Sequence, residues 1–472
     1  MTPNTPLGEV QPGAAPSPAL RHLFAAVTAG LFGGLLTLSA AIAYPAVIFT
    51  GSMAVHLGIG ITLALFTSMV LGAVVAWGSS YPAAIAQAQI ETAVVLGAIA
   101  IVVAETAGSA DAEVRLATLL VVIAVATVSL GLGFVLLGAF RLGNVIRYIP
   151  FPVIGGFLGY IAWLLAKGGI AIMLGRPLDL ETGLALLQPE LLLRWLPAAL
   201  LALALLVLQL KRRHFLNLPV VLLLALTGFW LIAWLGGGTP ATLLAGGHVL
   251  EPLAPEQRWS PLRLPMALAA VDWQVVLAAL PQIAVVSLIA TITLLLTAST
   301  LEVASRRPVD LNRELTVAGI GNLLAALGGG LPGYHSVSAS LLPHYLGTRS
   351  RLVGLIGALM CAGTLVFGGP LLAYVPTLLI GLVLLYLAFD ITAELILDRW
   401  PLIGAGEKAV MLVVLAALVG IGFVEGIVIG IVAGLAVFAI NYARLGVVRA
   451  QGGGRAFASN VMRPPAQANR LE

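Results

Sequence analysis

Long apolar runs, separated by short polar connections, make up most of the chain. A helix rises 1.5 Å per residue, so about 20 residues cross the roughly 30 Å of hydrocarbon in a bilayer. Most of the runs carry no internal charge, and the pattern predicts an all-α polytopic membrane protein. The runs of helical length cover 22–47, 54–77, 84–104, 115–139, 151–174, 191–210, 215–236, 273–299, 314–328, 351–369, 371–395, 406–422 and 424–443.

Two polar stretches interrupt this pattern where a crossing is expected. The first, "SSYPAAIAQAQIETA" (79–93), places two glutamines and an acid close to apolar sequence; the second, "GGGLPGYHSVSASLLPHYLGTRS" (328–350), is too polar to span alone. Non-helical backbone inside a bilayer is tolerated only where it is buried in protein or lines a cavity. We therefore expect both breaks to face inward and toward each other. Helices that begin there would direct unpaired N–H groups at a shared site.

Composition supports a lipid environment. The 472 residues are 60% hydrophobic and 9% charged, with a mean hydropathy of +1.06, whereas soluble domains carry roughly 25% charged residues. The single cysteine, Cys361, excludes disulfides and cysteine metal clusters. We expect no cofactor, no metal and no nucleic-acid partner. The expected partners are a small-molecule solute and the lipid bilayer, and a homodimer is left open.

The basic residues indicate an orientation. If residues 335–346 form one broken crossing, the chain has fourteen segments, and 18 of its 24 Lys and Arg lie on the side of the N-terminus. This bias follows the positive-inside rule. Thirteen segments would place the tail arginines outside. We therefore predict an integral protein of the plasma (inner) membrane with both termini cytoplasmic.

Two pairs of similar stretches suggest an internal repeat. "YIPFPVIGGFLGYIA" (148–162) matches "YVPTLLIGLVLLYLA" (374–388), and "SSYPAAIA" (79–86) weakly matches "GGLPGYHS" (329–336). Each pair lies seven segments apart in the fourteen-segment count. An odd number of crossings inverts the second repeat, which is typical of secondary transporters with a midplane site between discontinuous helices.

This count divides the chain, with the third and tenth segments discontinuous. The predicted parts are a disordered cytoplasmic tail (1–20), a first seven-helix repeat (21–236), an extracytoplasmic loop (237–272), a second seven-helix repeat (273–443) and a cytoplasmic C-terminal tail (444–472).

Glu91 is the sharpest candidate for function. A carboxylate at membrane depth costs several kcal/mol unless it is paired or protonated. It is the proton-coupling candidate, or it attracts a positively charged solute group; a neutral structural acid is the alternative. His335 is left open as a partner of Glu91, a second proton relay or a packed histidine.

The residues around the second break resemble a known family. "DLNRELTVAGIGNLLAALGGGLPGYHSVSAS" (310–340) resembles the segment leading into the tenth helix of the SulP sulfate-permease-like anion transporters, and 141–157 and 371–391 resemble stretches at their fifth and twelfth helices. The family pattern N-x-E-L…G-x-x-N…G-G-x-P falls on Asn312, Glu314, Leu315, Gly319, Asn322, Gly329, Gly330 and Pro332.

The resemblance implies fourteen helices in two inverted sevens, divided into core and gate domains, with elevator-type movement of one against the other. Solute would bind between the third and tenth half-helices with help from the first. The resemblance places Ser39 and Tyr44 near the site, beside the polar side chains of the two breaks. Together the predicted substrate-binding residues are Ser39, Tyr44, Gln87, Ala88, Gln89, Thr291, Tyr334, His335, Ser336 and Ser338.

Three departures from the family bear on the solute. Ala339 stands where members commonly carry a basic residue, and Thr291 and Thr293 stand where the eighth helix often bears an acid. The family's cytoplasmic STAS domain is not expected within the residues 444–472 that follow the last predicted helix. Losing a cation while carrying Glu91 makes the site less favourable for an anion.

The leading hypothesis is a secondary active transporter of a small inorganic or organic anion (sulfate, bicarbonate or a carboxylate), with proton or sodium coupling left open. One alternative is a proton-coupled transporter of a cationic or zwitterionic solute such as an amino acid. A second is a channel-like or motor protein on the same scaffold. An enzyme is not expected, because no His-Glu-x-x-His motif or phosphate loop is present.

Overall fold

Helices form nearly all of the regular structure. The computed structural model describes residues 18–106, 112–143, 151–176, 178, 180–212, 217–252, 258–260, 263–421 and 423–443. Its first elements are α1 (Pro18–Ala43), α2 (Pro45–Ile48), α3 (Leu57–Gly78), β1 (Ala86–Ala88), α4 (Ile90–Thr106), α5 (Ala112–Ala139), α6 (Phe151–Leu174), α7 (Leu180–Ala185), α8 (Pro189–Lys211) and α9 (Asn217–Leu235).

The second half continues in the same style. Its elements are α10 (Pro240–Ala245), α11 (Arg263–Ala267), α12 (Trp273–Ala278), α13 (Leu280–Ser305), α14 (Leu311–Leu327), β2 (Gly333–His335), α15 (Val337–Tyr345), α16 (Leu352–Phe367), α17 (Thr377–Ala393), α18 (Ala405–Gly420) and α19 (Phe423–Ala443). Short 3₁₀ helices lie at Gly51–His56, Gly369–Tyr374 and Trp400–Leu402, and one π-helical turn at Glu394–Arg399.

Eight helices in the described ranges are long and apolar enough to cross a membrane. These helices correspond to apolar runs of the sequence. The run 151–174, for example, coincides with α6. Many large apolar side chains point outward, among them Trp77, Leu132 and Trp234. Such side chains are compatible with lipid as the surrounding solvent. The protein is therefore an all-helical integral membrane protein, whereas the fourteen-segment count stays a prediction.

The helices pack in two groups. One group contains α1, α3, α4, α5, α13, α14, α15 and α16, and its principal contacts are α5 with α14 and α16 with both α1 and α3. The other contains α6, α8, α9, α17, α18 and α19, centred on α6 against α17. Fewer contacts join the groups, for example between α1 and α17. The two strands lie within the first group.

The predicted boundaries differ from the observed elements in two places. Helix α1 begins at Pro18, inside the stretch 1–20 predicted as a tail. The predicted loop 237–272 contains the short helices α10 and α11, and Thr239 caps α10 through a capping box with Thr242. Residues 1–17 and the predicted tail 444–472 lie outside the described residues.

Candidate functional site

The two polar breaks meet as a short antiparallel ribbon. Strand β1 pairs with β2 in the register Ala86↔His335, Gln87↔Tyr334 and Ala88↔Gly333. Helix α4 begins two residues after β1, and α15 begins two residues after β2. Because the strands are antiparallel, one helix N-terminus lies at each end of the ribbon and the two helices run in opposite directions. Residues 79–93 and 328–350, expected to be neighbours, are neighbours here.

Hydroxyl groups from surrounding helices satisfy the carbonyls that the second break exposes. Thr127 donates to the carbonyl of Gly330 at 2.8 Å, and Thr67 to that of Leu331 at 3.0 Å. Thr92 donates to the carbonyl of Pro332 at 3.1 Å. An unsatisfied backbone group in hydrocarbon costs several kcal/mol, so these bonds make the break tolerable inside the membrane.

Asn322 fastens the ribbon to α14. Its side-chain oxygen accepts from the N–H of Gly333 at 2.9 Å, and its side-chain nitrogen donates to the Gly333 carbonyl at 2.8 Å. Asn322 is fully buried. Position 333 requires glycine because the backbone of β1 and the side chain of Leu71 lie very close to it. A Cβ atom there would overlap the carbonyl oxygen of Gln87 and lie 2.8 Å from Leu71 Cδ2.

One face of the ribbon carries the Glu91 carboxylate. The Tyr334 hydroxyl donates to Glu91 Oε2 at 2.7 Å. The Tyr334 ring is buried among Phe134, Leu294 and Leu315, whereas Glu91 remains partly exposed. This face therefore presents a carboxylate that is oriented by a tyrosine.

The two glutamines of the first break have different surroundings. Gln89 donates from its amide to the carbonyls of Tyr334 (2.9 Å) and His335 (3.1 Å), which ties α4 to β2. Gln87 stands opposite Tyr334 in the ribbon, so both side chains share one face. Its buried Oε1 atom has no hydrogen-bond partner among the described residues. Gln87 thus offers a free acceptor, and Gln89 stabilises the ribbon.

The opposite face carries a second, fully buried acid. His335 Nε2 lies 2.7 Å from Glu314 Oε2, and each side chain is 1% exposed. Glu314 also accepts from the Ser79 hydroxyl (2.7 Å), the Ser80 N–H (2.7 Å) and the Ser80 hydroxyl (2.5 Å). Since adjacent strand residues point to opposite faces, His335 is directed away from Glu91. Of the alternatives left open by sequence, partnership with Glu91 is therefore not the arrangement observed.

The remaining predicted residues lie around the ribbon. Tyr44 is buried at the junction of α1 and α2. Ser39 and Thr291 are partly buried and donate to carbonyls within their own helices, Leu35 at 2.9 Å and Ser287 at 2.7 Å. Ala88 is buried in the ribbon itself.

One of the predicted residues at the start of α15 caps the N-terminus of that helix. Ser336 is the N-cap of α15, and its hydroxyl accepts from the Ala339 N–H at 3.5 Å. Ala339, in the place where the family commonly carries a basic residue, is buried against Ile85 and Val353. The side chain of Ser338 lies outside the described residues.

Sequence reasoning missed the residues that build the second face. Glu314 belongs to the family pattern without a role predicted for it, and Ser79 and Ser80 open the first polar break without a predicted function. The signal that would have found them is the pairing of a buried acid with two adjacent serines at the break. Thr67 and Thr127 carried no signal, because a hydroxyl in an apolar helix ordinarily bonds within its own helix.

Two cavities open beside these elements. One of about 350 Å³ is lined at the turn before β1 by Ser80 and Tyr81, and on the other side by Ser305, Arg307, His344 and Arg349; we call it the Ser80 cavity. Another, of about 290 Å³, includes Phe49, Arg176, Glu251 and Thr377 in its lining. Neither is lined by Gln87, Glu91 or Tyr334.

A strand ribbon between helix starts inside an all-helical membrane bundle, with ionisable groups on both faces, is typical of membrane transporters. A family model with the description "Sulfate permease family" matches residues 23–414. The chain belongs to this family, whose members are transporters and not enzymes.

Solved structures share the fold. The transmembrane domain of a cyanobacterial bicarbonate transporter, BicA, is similar with a TM-score of 0.61 and 23% identity, over 88% of this chain and 98% of that chain. The murine anion transporter Slc26a9 in its inward-facing state has a TM-score of 0.65 and 14% identity, over 89% of this chain and 69% of that chain. At these identities the likeness shows the fold alone.

A curated relative is the "Vacuolar basic amino acid transporter VSB1" of Saccharomyces cerevisiae. It is 23% identical over 456 residues, which are 94% of this chain and 44% of the relative. The chain therefore spans less than half of that relative's length.

Proposed function

We propose that this protein is a secondary active transporter whose solute presents a cationic group to Glu91, as a basic or zwitterionic amino acid does. The observation that carries the proposal is the Glu91 carboxylate, which the Tyr334 hydroxyl holds on one face of the ribbon. In the described part of the chain, no ion pair joins Glu91 to Lys or Arg. A carboxylate at membrane depth is stabilised by a proton or by a cation, and a solute with a cationic group would supply the cation.

Gln87 strengthens the preference for a donor-rich solute. Its buried side-chain oxygen lacks a partner and shares the ribbon face with Tyr334. A buried acceptor without a donor costs about 1–3 kcal/mol, and an ammonium or guanidinium group supplies several donors. The carboxylate of an amino acid would be directed to the unpaired N–H groups at a helix N-terminus, where α4 or α15 begins.

The packing supports a repeat-based mechanism. Contacts between helices recur when each predicted segment is advanced by seven: α5–α14 corresponds to α3–α16, α1–α16 to α5–α13, and α8–α17 to α6–α18. The same shift of seven segments relates the third segment, which contains β1, to the tenth, which follows β2, and the two strands pair with each other. We infer two inverted repeats, with the group around α3 and α14 as core and the group around α6 and α17 as gate. Core would move against gate while carrying solute at the ribbon.

A small anion is the second candidate. Two helices begin at the ribbon, α4 and α15, and helix N-termini attract anions. The family description names sulfate. Against this stands the charge of Glu91, together with Ala339 in the place of a basic residue. We therefore rank the anion below the cationic solute.

Uptake into liposomes by the full chain tests the choice. Labelled arginine and citrulline form a matched pair, since they have nearly the same shape and differ in side-chain charge. We expect arginine uptake to exceed citrulline uptake by about tenfold or more, because a hydrogen bond to a charged group is worth about 1.5–3 kcal/mol. Uptake of sulfate or bicarbonate without arginine would instead establish the anion reading.

The variant Glu91→Gln tests the residue itself. It keeps the size and hydrogen-bonding capacity of the side chain and removes the charge, so the preference for arginine over citrulline should disappear. Glu105→Gln, at the exposed far end of the same helix α4, is the matched control and should transport normally. Equal discrimination in wild type and Glu91→Gln would move the cation site elsewhere.

A further inference from the structure

The buried pair of Glu314 and His335 is not used by the solute site. The two side chains lie 2.7 Å apart and are almost fully buried. They occupy the face of the ribbon opposite Glu91. Neither ring nitrogen of His335 has a partner in hydrogen-bond geometry among the described residues, so the 2.7 Å contact from Nε2 to Glu314 Oε2 is a close approach of two ionisable groups. A proton added to such a pair can be held by either group, as a carboxylic acid beside an imidazole or as a carboxylate beside an imidazolium.

We propose that Glu314 and His335 together bind and release the proton that drives transport, and that Ser80 connects the pair to the Ser80 cavity. The proposal rests on the proposed function in that it requires a transported solute. It assigns the coupling proton to this pair and leaves Glu91 to bind the solute.

The charge balance of the pair supports reversible proton binding. With neutral His335 the pair carries one negative charge, and with a proton added it becomes an imidazolium beside a carboxylate with no net charge. Burial favours the state without net charge. The three donors from Ser79 and Ser80 favour the charged carboxylate. Because burial favours the protonated pair and the serine donors favour the unprotonated pair, the pair can bind a proton and release it again during transport.

Other charged groups surround the pair and act on the same balance. Arg313 Nε donates to the Gly78 carbonyl at 2.7 Å, and Arg351 donates to the carbonyls of Ala76, Trp77 and Ser79. Both guanidinium groups lie at the end of α3 and favour the unprotonated pair. The further ionisable residues on neighbouring elements are Tyr81, Glu91, Glu302, Arg307, Asp310, Tyr334, His344 and Arg349.

Ser80 provides the route. It lines the Ser80 cavity, and its hydroxyl donates to Glu314 Oε1 at 2.5 Å. A hydronium ion in the cavity can give its proton to the pair through this hydroxyl and remain as water; release reverses the same steps. One side chain therefore separates Glu314 from the cavity.

Strand β2 joins the proton pair to the solute site. Tyr334, which holds Glu91, and His335, which holds Glu314, are consecutive residues. Gln89 donates to both of their carbonyls. A change in the charge of His335 that shifts β2 is thereby transmitted to Glu91, which gives the two sites a coupling free energy.

The decisive experiment compares driven accumulation with exchange. The full chain is placed in liposomes at zero membrane potential with an outwardly directed or inwardly directed gradient of one pH unit. One proton per solute then allows accumulation of up to about tenfold, since one pH unit corresponds to 1.36 kcal/mol. For His335→Gln we expect an accumulation ratio of about one, with counterflow of labelled solute retained. The control His248→Gln, in the loop after α10, should behave as wild type.

Accumulation by His335→Gln equal to wild type would overturn the proposal. If that variant does not elute as a folded protein, Ser80→Ala decides, because it leaves the pair intact. We expect slower gradient-driven accumulation with unchanged counterflow, and an unchanged accumulation rate would refute the route and the assignment.

A solute-independent measurement separates this inference from the proposed function. Histidine ¹⁵N spectra of the full chain in lipid nanodiscs, assigned by the signal lost in His335→Gln, report whether the ring gains a proton as the pH falls from about 8 to about 5. A ring that never changes form overturns the inference even if arginine is transported. A ring that changes form while arginine is not transported leaves the pair standing and removes only the choice of solute.

Discussion

The Tyr334 hydroxyl donates a 2.7 Å hydrogen bond to Glu91 across 243 positions of sequence. The tyrosine comes from β2 and the acid from the first turn of α4. The bond therefore joins the two broken segments at the point where solute is proposed to bind. Any solute cation that approaches Glu91 meets a carboxylate whose orientation is already set.

Tyr334→Phe removes this donor and keeps the ring packed against Phe134, Leu294 and Leu315. Because the carboxylate loses its fixed orientation, we expect the KM for arginine to rise about tenfold, or about 1.4 kcal/mol. The melting temperature should change little. Uptake kinetics and thermal unfolding of the purified variant measure the two effects.

Tyr374→Phe is the matched control for this change, since Tyr374 is 53% exposed and far in sequence from both breaks. It should leave KM unaltered. A Tyr334→Phe variant with wild-type KM would show that the hydroxyl does not position Glu91 for solute.

Gly333→Ala should damage the ribbon itself. The added Cβ would overlap the Gln87 carbonyl oxygen and press on Leu71 Cδ2 at 2.8 Å. Neither backbone can yield without breaking the strand pairing, so we expect a loss of roughly 1–3 kcal/mol in the free energy of unfolding. A lowered melting temperature and weak uptake would show it.

Gly363→Ala supplies the comparison. Gly363 lies in α16, and its new Cβ would meet no atom within 4 Å. Alanine is the better helix former by about 1 kcal/mol, so stability should be unchanged or slightly higher. Equal melting temperatures for the two variants would contradict the tight packing at Gly333.

The sequence predicts the positions of the helices better than the contacts of individual side chains. Apolar runs of helical length locate α5 and α6 because lipid imposes a continuous apolar segment. The polar breaks at 79–93 and 328–350 also stand out, since amides and a carboxylate are costly at that depth. These features depend on local composition, and local composition is what a sequence displays.

The partners of individual side chains depend on long-range geometry. Nothing local shows that His335 faces Glu314 and not Glu91, because that choice follows from a three-residue strand register. The bonds from Thr67 and Thr127 to the second break span 264 and 203 positions. A threonine in an apolar helix gives no sign of such a bond.

Asn322→Ala should release the ribbon from α14. The N–H and the carbonyl of Gly333 would both lose their buried partner, and each unsatisfied group costs about 1–3 kcal/mol. We expect a drop of about 2–4 kcal/mol in stability, read as a lower melting temperature. Asn217→Ala removes an asparagine whose amide also makes two bonds, one of them exposed, and should cost less.

The reverse order of these two melting temperatures would show that Asn322 is not the clamp. Bound solute should partly restore Asn322→Ala, because binding to the folded state stabilises it by mass action. A melting temperature insensitive to arginine in wild type would instead count against arginine as the solute.

Ser39→Cys tests whether α1 lines the solute path. Cys361 is the single cysteine of the chain and is fully buried, so the unmodified protein should not react with a small polar thiol reagent. Ser39 is partly buried, and its cysteine should react from the water-filled path. Solute at ten times its Kd should slow the reaction about tenfold by occupying the site. Ser350→Cys, in the connection before α16, should react without protection, and protection of both cysteines alike would mean that solute acts at a distance and not at α1.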